Sequence, residues 1–400
     1  MLYLTNCYII DSVYEDSIKK GTVAVSDEFI SGISAEPPHN KRSAQIIDLE
    51  GCYILPGLWD VHTHPGIMIP DPSRQSMFET QAERTIRAYK NVHDALHHGI
   101  TSLRVNGEAD YIDVALREAQ ICGQLKIPRL FVAGKYIRAT GGHGSYGKVE
   151  PLYLAEAVEA DGPDAVRKAA RQQLKMGADH VKIFITGGIA GDRESMYELQ
   201  LNFDEIQAAV EVAHNKGVRV ASHTGGAEAV KTAVKAGVDS IEHGYHLDEE
   251  AVALMAKKGT FYVPTLSVTQ DSDYIDAKDW PDHMRQKVES GKRLHLESFK
   301  MALQGELKIA SGSDLTPIGP QGIGEVIQLV RAGMTSWEAI VAATRISAEL
   351  CQREKVLGTI EVGKLADIIA VEGNPLEDIE HLRKLRLVMQ GGQVVYDKLS

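Results

Sequence analysis

The sequence lacks the features that mark several large protein classes. It has only four cysteines in 400 residues, none of them in a CxxC spacing, which argues against a disulfide framework and against a thiolate metal site. No apolar run is long enough to span a bilayer, and the first residues lack a basic segment followed by a long apolar one. A net positive charge is also lacking, because 55 acidic residues outnumber 43 basic ones and give a formal net charge of -12. We therefore expect a cytoplasmic protein whose main partner is neither nucleic acid nor a membrane surface.

What remains is the composition of an ordinary globular protein, with 44% hydrophobic and 24% charged residues. A chain of 400 residues exceeds what one simple core usually holds. This length favours one large barrel with a smaller second domain.

Both ends of the chain contain short β-like segments separated by turns. They lie at residues 7–10, 21–25, 29–33 and 45–49, and again at 367–371, 385–389 and 393–396. Because chain ends usually lie at the surface and often close together, we predict one small β domain built from both termini. Its two parts are placed at residues 1–56 and 355–400, on either side of a barrel at 57–354.

The middle of the chain alternates helical and β-like segments. Helices are predicted at 163–176, 203–216, 227–236 and 248–258, and each stops at a glycine, a favoured residue just past a helix end. Repeated βα units imply parallel strands, and their number favours a closed barrel. An open doubly wound sheet is the alternative, but no glycine-rich phosphate loop follows the first strand. The predicted fold is therefore α/β, a (β/α)8 TIM barrel with a small β-sandwich domain from both termini.

Barrel strands are predicted at several further places, including the first at 53–61, the third at 129–133 and the eighth at 307–312. Side chains suited to metal binding stand at or just inside the ends of the predicted strands: His62, His64, Lys182, His223, His243 and Asp314. In a barrel of this kind these strand ends converge on one mouth, where active sites are built. His62 and His64 are separated by two residues, so both side chains face the same way and can share one ion. Asp314 adds an anionic oxygen ligand.

Lys182 is the most unusual member of this set, because it lies in an apolar run where an unpaired ammonium would be costly. A lone lysine in such a run more often buries its stem and extends its charged head to water. Burial lowers the pKa of a lysine, however, and a neutral amine can add carbon dioxide to become a carbamate, an anion with two oxygens. That group could bridge two divalent ions. The combined set of strand-end residues indicates metal chemistry rather than packing.

These residues resemble the amidohydrolase superfamily, specifically its members with two metals and a carboxylated lysine. Residues 55–64 look like the first-strand motif of that family, and residues 240–244 and 311–314 look like its sixth- and eighth-strand motifs. Residues 363–367 resemble the lead into its C-terminal β piece. Within the superfamily, residues 139–144 and the stretch from Val181 to Gly188 look like the prolidase-type branch. That branch includes Xaa-Pro and Xaa-Arg or Xaa-Lys dipeptidases and sits near the imidazolonepropionases.

The resemblance implies a site with two divalent ions, expected to be zinc, and a carbamate on Lys182. It assigns His62, His64 and Asp314 to the more buried ion. It assigns His223 and His243 to the second ion and Lys182 to the bridge between the two ions. It implies hydrolysis of an amide bond in a small-molecule substrate, a dipeptide or an N-acyl amino acid, by a hydroxide that bridges the metals. Asp314 would move the proton, and His143 would hydrogen-bond the carbonyl oxygen as charge develops. Relatives often form homo-oligomers, so self-association remains open.

Other functions remain as alternatives. The same site could hydrolyse a cyclic amide, a lactone or an ester. A mononuclear deaminase or an imidazolonepropionase-like enzyme is disfavoured by Lys182, and deaminases carry an acid where this chain has Gly226. A non-enzymatic scaffold is disfavoured because all six ligands are present.

Substrate recognition is less determined by the sequence. Arg138 either pairs with a substrate carboxylate or is a solvated loop charge, and His143 has the alternative of a purely structural loop position. Gly225 and Gly226 stand where prolidase-type relatives commonly carry a tyrosine, which puts Xaa-Pro specificity in doubt. The segment 268–289 holds five aspartates, which either form an acidic lid favouring cationic substrates or a solvated surface.

Overall fold

The computed structural model describes residues 1–15, 18–36, 45–67, 79–145 and 156–399. The strands that precede the barrel are β1 (Leu2–Ile9), β2 (Lys19–Ser26), β3 (Phe29–Ser34), β4 (Gln45–Asp48) and β5 (Tyr53–Pro56). The barrel region contains β6 (Leu58–Thr63), β7 (Ile100–Val105), β8 (Arg129–Val132), β9 (Tyr136–Arg138), β10 (Ala157–Glu159), β11 (Val181–Phe184), β12 (Val220–Thr224), β13 (Ser240–His243) and β14 (Phe261–Val263). The last strands are β15 (Ile368–Val371), β16 (Leu385–Gln390) and β17 (Gln393–Asp397).

The helices surround the barrel strands. They are α1 (Gln81–Leu96), α2 (Ile112–Ile121), α3 (Pro163–Lys175), α4 (Phe203–Asn215), α5 (Ala227–Ala236), α6 (Glu249–Lys258), α7 (Ser267–Gln270), α8 (Ser272–Ala277), α9 (Asp282–Gln304), α10 (Ile318–Arg331), α11 (Ser336–Val341) and α12 (Ser347–Leu350). Short 3₁₀ turns lie at Ala109–Tyr111 and Ile379–Arg383, and a π-helical turn, Ala342–Ile346, joins α11 to α12. Among the described helices none has the length and apolarity needed to cross a bilayer.

The predicted helices are confirmed to within a residue or two because their end signals act locally. The side chain of Asn202 accepts a hydrogen bond from the backbone of Glu205, whose side chain bonds back to Asn202, and this capping box starts α4. Gly237 and Gly259 end α5 and α6 with φ of 101° and 69°, a left-handed conformation that glycine adopts without a steric penalty.

The two ends of the chain share one sheet, as predicted. Its order is β17-β16-β15-β5-β1-β2-β3, with β4 beside β1. The junction between the ends is the antiparallel pair of β15 and β5, in which Ile369 lies opposite Leu55. Apolar side chains of this sheet, such as Leu4, Ile54 and Leu387, are fully buried in a core of their own. The predicted domain limits at 57 and 354 stay a prediction.

The barrel strands run parallel in two ladders, β6-β7-β8 and β10-β9-β11-β12-β13-β14. A backbone hydrogen bond of 2.7 Å from Asp179 N to Val132 O connects the ladders on one side. On the other side the chain near Ile309 bridges to Tyr262 in β14, and Val61 N in β6 donates to Ser311 O at 2.9 Å. The (β/α)8 prediction is therefore confirmed, with strands whose carboxyl ends face one mouth.

Two predicted strands differ in detail from the structure. The first predicted strand divides at Gly57 into β5 of the terminal sheet and β6 of the barrel. A Cβ on Gly57 would lie 2.1 Å from Thr101 Oγ1. The eighth predicted strand, 307–312, lies between β14 and β6 as expected but is irregular, since in the described chain only Ile309 forms a ladder bridge. Beyond it the chain turns across β6, and a Cβ on Gly312 would lie 2.7 Å from His62 Cβ.

Candidate active site

The six residues predicted at strand ends come together at the mouth of the barrel or directly beneath it. One possible ligand atom from each of His62, His243 and Asp314 lies within 4.8 Å of the others. The Nε2 atoms of His62 and His64 each lie 3.7 Å from Asp314 Oδ1. The ring centres of His223 and His243 are 4.5 Å apart. Four imidazoles and a carboxylate therefore face one small volume.

Backbone conformation helps to aim two of these side chains. His243 and Asp314 have φ of 71° and 55°, a left-handed region that residues other than glycine rarely adopt. Such conformations persist only where the surrounding structure enforces them, and they are concentrated at functional sites. Asp314 is held by a backbone hydrogen bond of 2.8 Å from its N to His62 O.

Each of the four histidines is oriented by a hydrogen bond on one ring nitrogen. The bonds are His62 Nδ1 to Glu242 Oε2 (2.9 Å), His64 Nδ1 to Gly107 O (2.9 Å), His243 Nδ1 to Thr265 Oγ1 (2.7 Å) and His223 Nε2 to Gly187 O (3.1 Å). Fixing one nitrogen in this way leaves the opposite nitrogen as a lone-pair donor, the arrangement typical of metal-binding histidines. Burial lowers the pKa of His64 to about 4, and the pKa values of the other three well below the ordinary range. The rings are therefore neutral, the form that binds metal.

A buried ion pair supports His62 from below. Arg104 Nη2 donates to both oxygens of Glu242 at 2.8 Å, and Arg104 Nε donates to Val61 O at 2.6 Å. A buried carboxylate without such a partner would be strongly destabilising. The role of Glu242 was not predicted from the sequence, although a charged residue beside His243 in a strand was an available signal.

Lys182 lies in β11 with no exposed surface, and its Nζ has no hydrogen-bond partner among the described residues. Burial lowers the pKa of this lysine, against the negative charge of Glu242, which raises it. Burial likewise raises the pKa of Asp314, against the charge of Lys182. An unpartnered buried amine beside four neutral imidazoles and a carboxylate is a donor set that fits divalent cations, provided the amine becomes an anionic ligand.

An open cavity of about 880 Å³, which includes some solvent space, lies over this centre. Its described lining includes a set of apolar side chains: Ile67, Ile189, Ala190, Val268, Trp280, Met284 and Leu315. Many of them pack in one cluster with Tyr245, whose ring stacks on His243 at 5.1 Å. We call the part of the cavity lined by these seven side chains the apolar chamber. A wall of this kind favours an apolar substrate group.

The acidic segment 268–289 supplies Val268, Trp280 and Met284 to this chamber. Its aspartates have other contacts: Asp271 accepts from Tyr274 N at the start of α8, and Asp276 pairs with Arg285 at 2.9 Å. None of its five aspartates is among the described residues that line the cavity. The structure therefore supports the solvated-surface interpretation of this segment over the acidic-lid hypothesis.

His143 lines the cavity, and its ring centre lies 4.3 Å from that of His223. Its Nδ1 is 2.5 Å from Glu194 Oε1, and its backbone N donates to Gln200 Oε1 at 2.8 Å. Burial acts to raise the pKa of Glu194, but the charge of His143 and its hydrogen bond outweigh it and lower the pKa to about 2. A Cβ on Gly188 would lie 2.3 Å from His143 Cε1, so only glycine fits beside this ring. Sequence analysis missed Glu194, because nothing in its loop distinguishes it from Glu198.

Arg138 is buried, and its Nη2 lies 3.4 Å from Glu159 Oε1. It is absent from the described lining of the cavity, so its substrate-binding role stays a prediction. Tyr136 and Glu156 line the cavity instead, and Arg84 pairs with Glu156 at 2.6 Å. Sequence analysis named neither of them.

Comparison with known proteins supplies the family. Residues 53–395 match the Amidohydrolase family. The chain belongs to this family. A Xaa-Pro dipeptidase crystallised with methionine bound in its active site is 35% identical, with a TM-score of 0.91 and coverage of 99% of this chain and 100% of that one. A prolidase in complex with N-methylphosphonate-L-proline is 30% identical, with a TM-score of 0.90 and coverage of 99% and 100%.

Ochratoxinase of Aspergillus niger is 29% identical over 404 residues, covering 93% of this amidohydrolase chain and 82% of its own. The resemblance to the prolidase-type branch is thus confirmed. Membership of the family, with hydrolases as neighbours, supports an enzyme that hydrolyses amide bonds.

Packing explains the two glycines that follow β12 in this amidohydrolase, Gly225 and Gly226. A Cβ on Gly225 would lie 1.9 Å from Met196 O, and one on Gly226 would lie 3.3 Å from Tyr197 Cβ. The loop that carries Glu194 therefore occupies the space beside these residues. A tyrosine at either position would require this loop to move.

Proposed function

We propose that this protein is a metal-dependent amidohydrolase that cleaves a dipeptide or an N-acyl amino acid with an apolar side chain. The observation that carries the proposal is the Lys182 amine, fully buried and without a hydrogen-bond partner among the described residues. Desolvation favours its neutral form, which is nucleophilic. Its nitrogen attacks the carbon of carbon dioxide and releases one proton, which yields a carbamate anion.

The proposed assignment of ligands is the one that the family resemblance implies, and the 3.7 Å distances from His62 and His64 to Asp314 support its first part. His62, His64 and Asp314 would hold one ion, expected to be zinc, and His223 and His243 would hold the second, with the Lys182 carbamate between them. Two such ions, when bound, polarise the substrate carbonyl and lower the pKa of a shared water.

The protein's own groups would then handle the protons and the developing charge. Asp314 accepts the proton of the attacking water and passes it to the leaving nitrogen. A carboxylate at the centre can act first as base and then as acid in this way. His143 donates from Nε2 to the carbonyl oxygen as negative charge develops there. Glu194 holds the opposite nitrogen and so keeps that donor pointed into the cavity.

The apolar chamber supports the choice of side chain. Burying a large apolar side chain against such a wall stabilises the complex by roughly 1.5–3 kcal/mol, whereas a cationic group there would lose its hydration. The 35% identical dipeptidase with methionine in its active site agrees with this choice.

The test is a hydrolysis screen of zinc-loaded protein against dipeptides and N-acyl amino acids, with Lys182→Ala beside the wild type. We expect release of free amino acid, fastest with a large apolar side chain, and its loss in the variant. Metal analysis should find two ions per chain in the wild type and fewer in Lys182→Ala, and incubation with ¹³C-bicarbonate should give a carbamate NMR signal in the wild type alone. Exposed Lys216, at the end of α4, provides a matched Lys216→Ala control.

Two results would contradict the proposal in different ways. Full activity in Lys182→Ala would remove the carbamate from the mechanism. An enzyme that holds two ions yet cleaves only lactones, esters or cyclic amides would refute the substrate class and leave the metal centre standing.

A further inference from the structure

A second cavity lies at the end of the barrel opposite the active site. Its walls include residues 178–180 and 217–219, which immediately precede β11 and β12, and residues 350–353, which begin with the last residue of α12. Because these residues enter the strands rather than leave them, they mark the amino-terminal end of the barrel. The space measures about 740 Å³, including some open solvent, and we call it the floor cavity.

Three arginines converge on the floor cavity: Arg104, Arg219 and Arg353. All three guanidinium groups lie close enough to the half-buried Cys351 thiol to affect its pKa. Burial raises the pKa of that thiol to about 12, the three guanidinium groups lower it, and Asp179 raises it. The cavity therefore contains more positive than negative charge, in a chain whose net charge is -12.

Two of these positive charges are not compensated. Arg104 is matched by Glu242, which it contacts at 2.8 Å, and Asp179 is matched by Arg117 at 2.7 Å. By contrast, Arg219 Nη1 donates at 3.0 Å to two backbone carbonyls, those of residues 349 and 350. Arg353 Nη1 donates to the carbonyl of residue 352 at 3.1 Å. Within the described part of the chain neither has a carboxylate at ion-pair distance.

Aromatic rings position both guanidinium groups. Arg219 Cζ lies 4.7 Å from the ring centre of Phe261, and Arg353 Cζ lies 5.3 Å from that of Phe131. Such cation–π contacts hold a guanidinium by its face. Because Nη1 of each arginine already donates to backbone carbonyls, the Nε and Nη2 edges are the ones left available. Those edges match the oxygens of phosphate or carboxylate groups in bidentate geometry.

We propose that the floor cavity is a binding site for a small dianion, either a phosphate group or a dicarboxylate, held between Arg219 and Arg353. Two uncompensated cations match two negative charges. A bound dianion would tie the segment after α12 to the start of β12, so its occupancy should stabilise the fold. The site is separate from the proposed catalytic centre and does not depend on it.

The experiment is a thermal unfolding titration with inorganic phosphate and, separately, with succinate, at constant ionic strength set by sodium chloride. We expect a saturable rise in Tm for the wild type with at least one of the two anions. The anion that produces it identifies the ligand chemistry. Arg353→Gln should raise the anion concentration needed for half of the maximal rise in Tm at least tenfold, whereas Arg331→Gln should leave that concentration unchanged. Both arginines are exposed, and Arg331 pairs with Glu380 away from the cavity, so the two variants are matched.

Phosphate can also bind at a metal centre, so the titration is repeated with Lys182→Ala. If the anion binds in the floor cavity, the rise in Tm should persist in Lys182→Ala. A circular dichroism spectrum confirms that Arg353→Gln is folded, and Arg219→Lys provides a second variant that keeps the charge but loses the planar fork. No saturable response in the wild type, or an undiminished response in Arg353→Gln, would overturn the proposal.

Discussion

Replacing Glu194 with glutamine isolates its role in positioning His143. The substitution keeps the volume of the side chain and removes its charge. Both side chains are about nine-tenths buried, and the contact from His143 Nδ1 to Glu194 Oε1 is 2.5 Å. In Glu194→Gln the imidazole keeps at best a neutral acceptor, and the glutamine can present its NH₂ group instead.

The expected loss follows from the strength of that contact. A hydrogen bond to a charged group contributes roughly 1.5–3 kcal/mol, against about 1 kcal/mol for a neutral pair. The difference of about 0.5–2 kcal/mol corresponds to roughly 2- to 30-fold in rate. Because His143 is proposed to act on charge that develops during the reaction, kcat and kcat/KM should fall together while KM changes little.

The assay is steady-state kinetics on the best substrate of the hydrolysis screen, with metal content measured in parallel. Glu198→Gln is the matched control, since Glu198 bonds to Gln200 at 3.1 Å on the same loop and does not contact His143. We expect both variants to retain their metal and only Glu194→Gln to slow. A turnover within twofold of the wild type, or an equal loss in Glu198→Gln, would refute the positioning role.

Two further predictions concern the chamber and a buried acid. Trp280→Ala should lower kcat/KM by about tenfold or more for substrates with large apolar side chains and little for glycine or alanine analogues, whereas an equal loss across the series would contradict the chamber's role. Burial raises the pKa of Asp113 from 3.8 to about 8. The folded state therefore binds this proton more tightly than the unfolded chain, and the contribution of Asp113 to stability should fall by up to about 1.4 kcal/mol per pH unit as pH rises through that window. Asp113→Asn should flatten this slope in urea unfolding at pH 5 to 8, and an unchanged slope would refute the assignment.

The sequence predicted the parts of the structure that depend on local patterns. Strand ends follow from apolar runs, and α5 ends at Gly237 because of a signal that acts within one turn. Since parallel strands in a barrel end at one mouth, His62 and His243 could be placed near each other without knowledge of tertiary contacts.

The contacts that were missed depend on distant or irregular parts of the chain. Arg104 and Glu242 are 138 residues apart, and neither signals the other in the sequence. Glu194 lies on an irregular loop with no periodicity to orient its side chain. For the segment 268–289 the composition allows either an acidic lid or a solvated surface, whereas packing against the barrel decides that Trp280 and Met284 face inward.

The pairing of β15 with β5 has a consequence for biosynthesis. β5 emerges from the ribosome well before β15 and leads directly into the strand that carries His62, but its partner on one edge is residues 368–371. Until those residues are made, one edge of β5 exposes unpaired backbone groups, a template for intermolecular association. A nascent or prematurely terminated chain that contains the whole barrel but ends before residue 368 should therefore need chaperone protection.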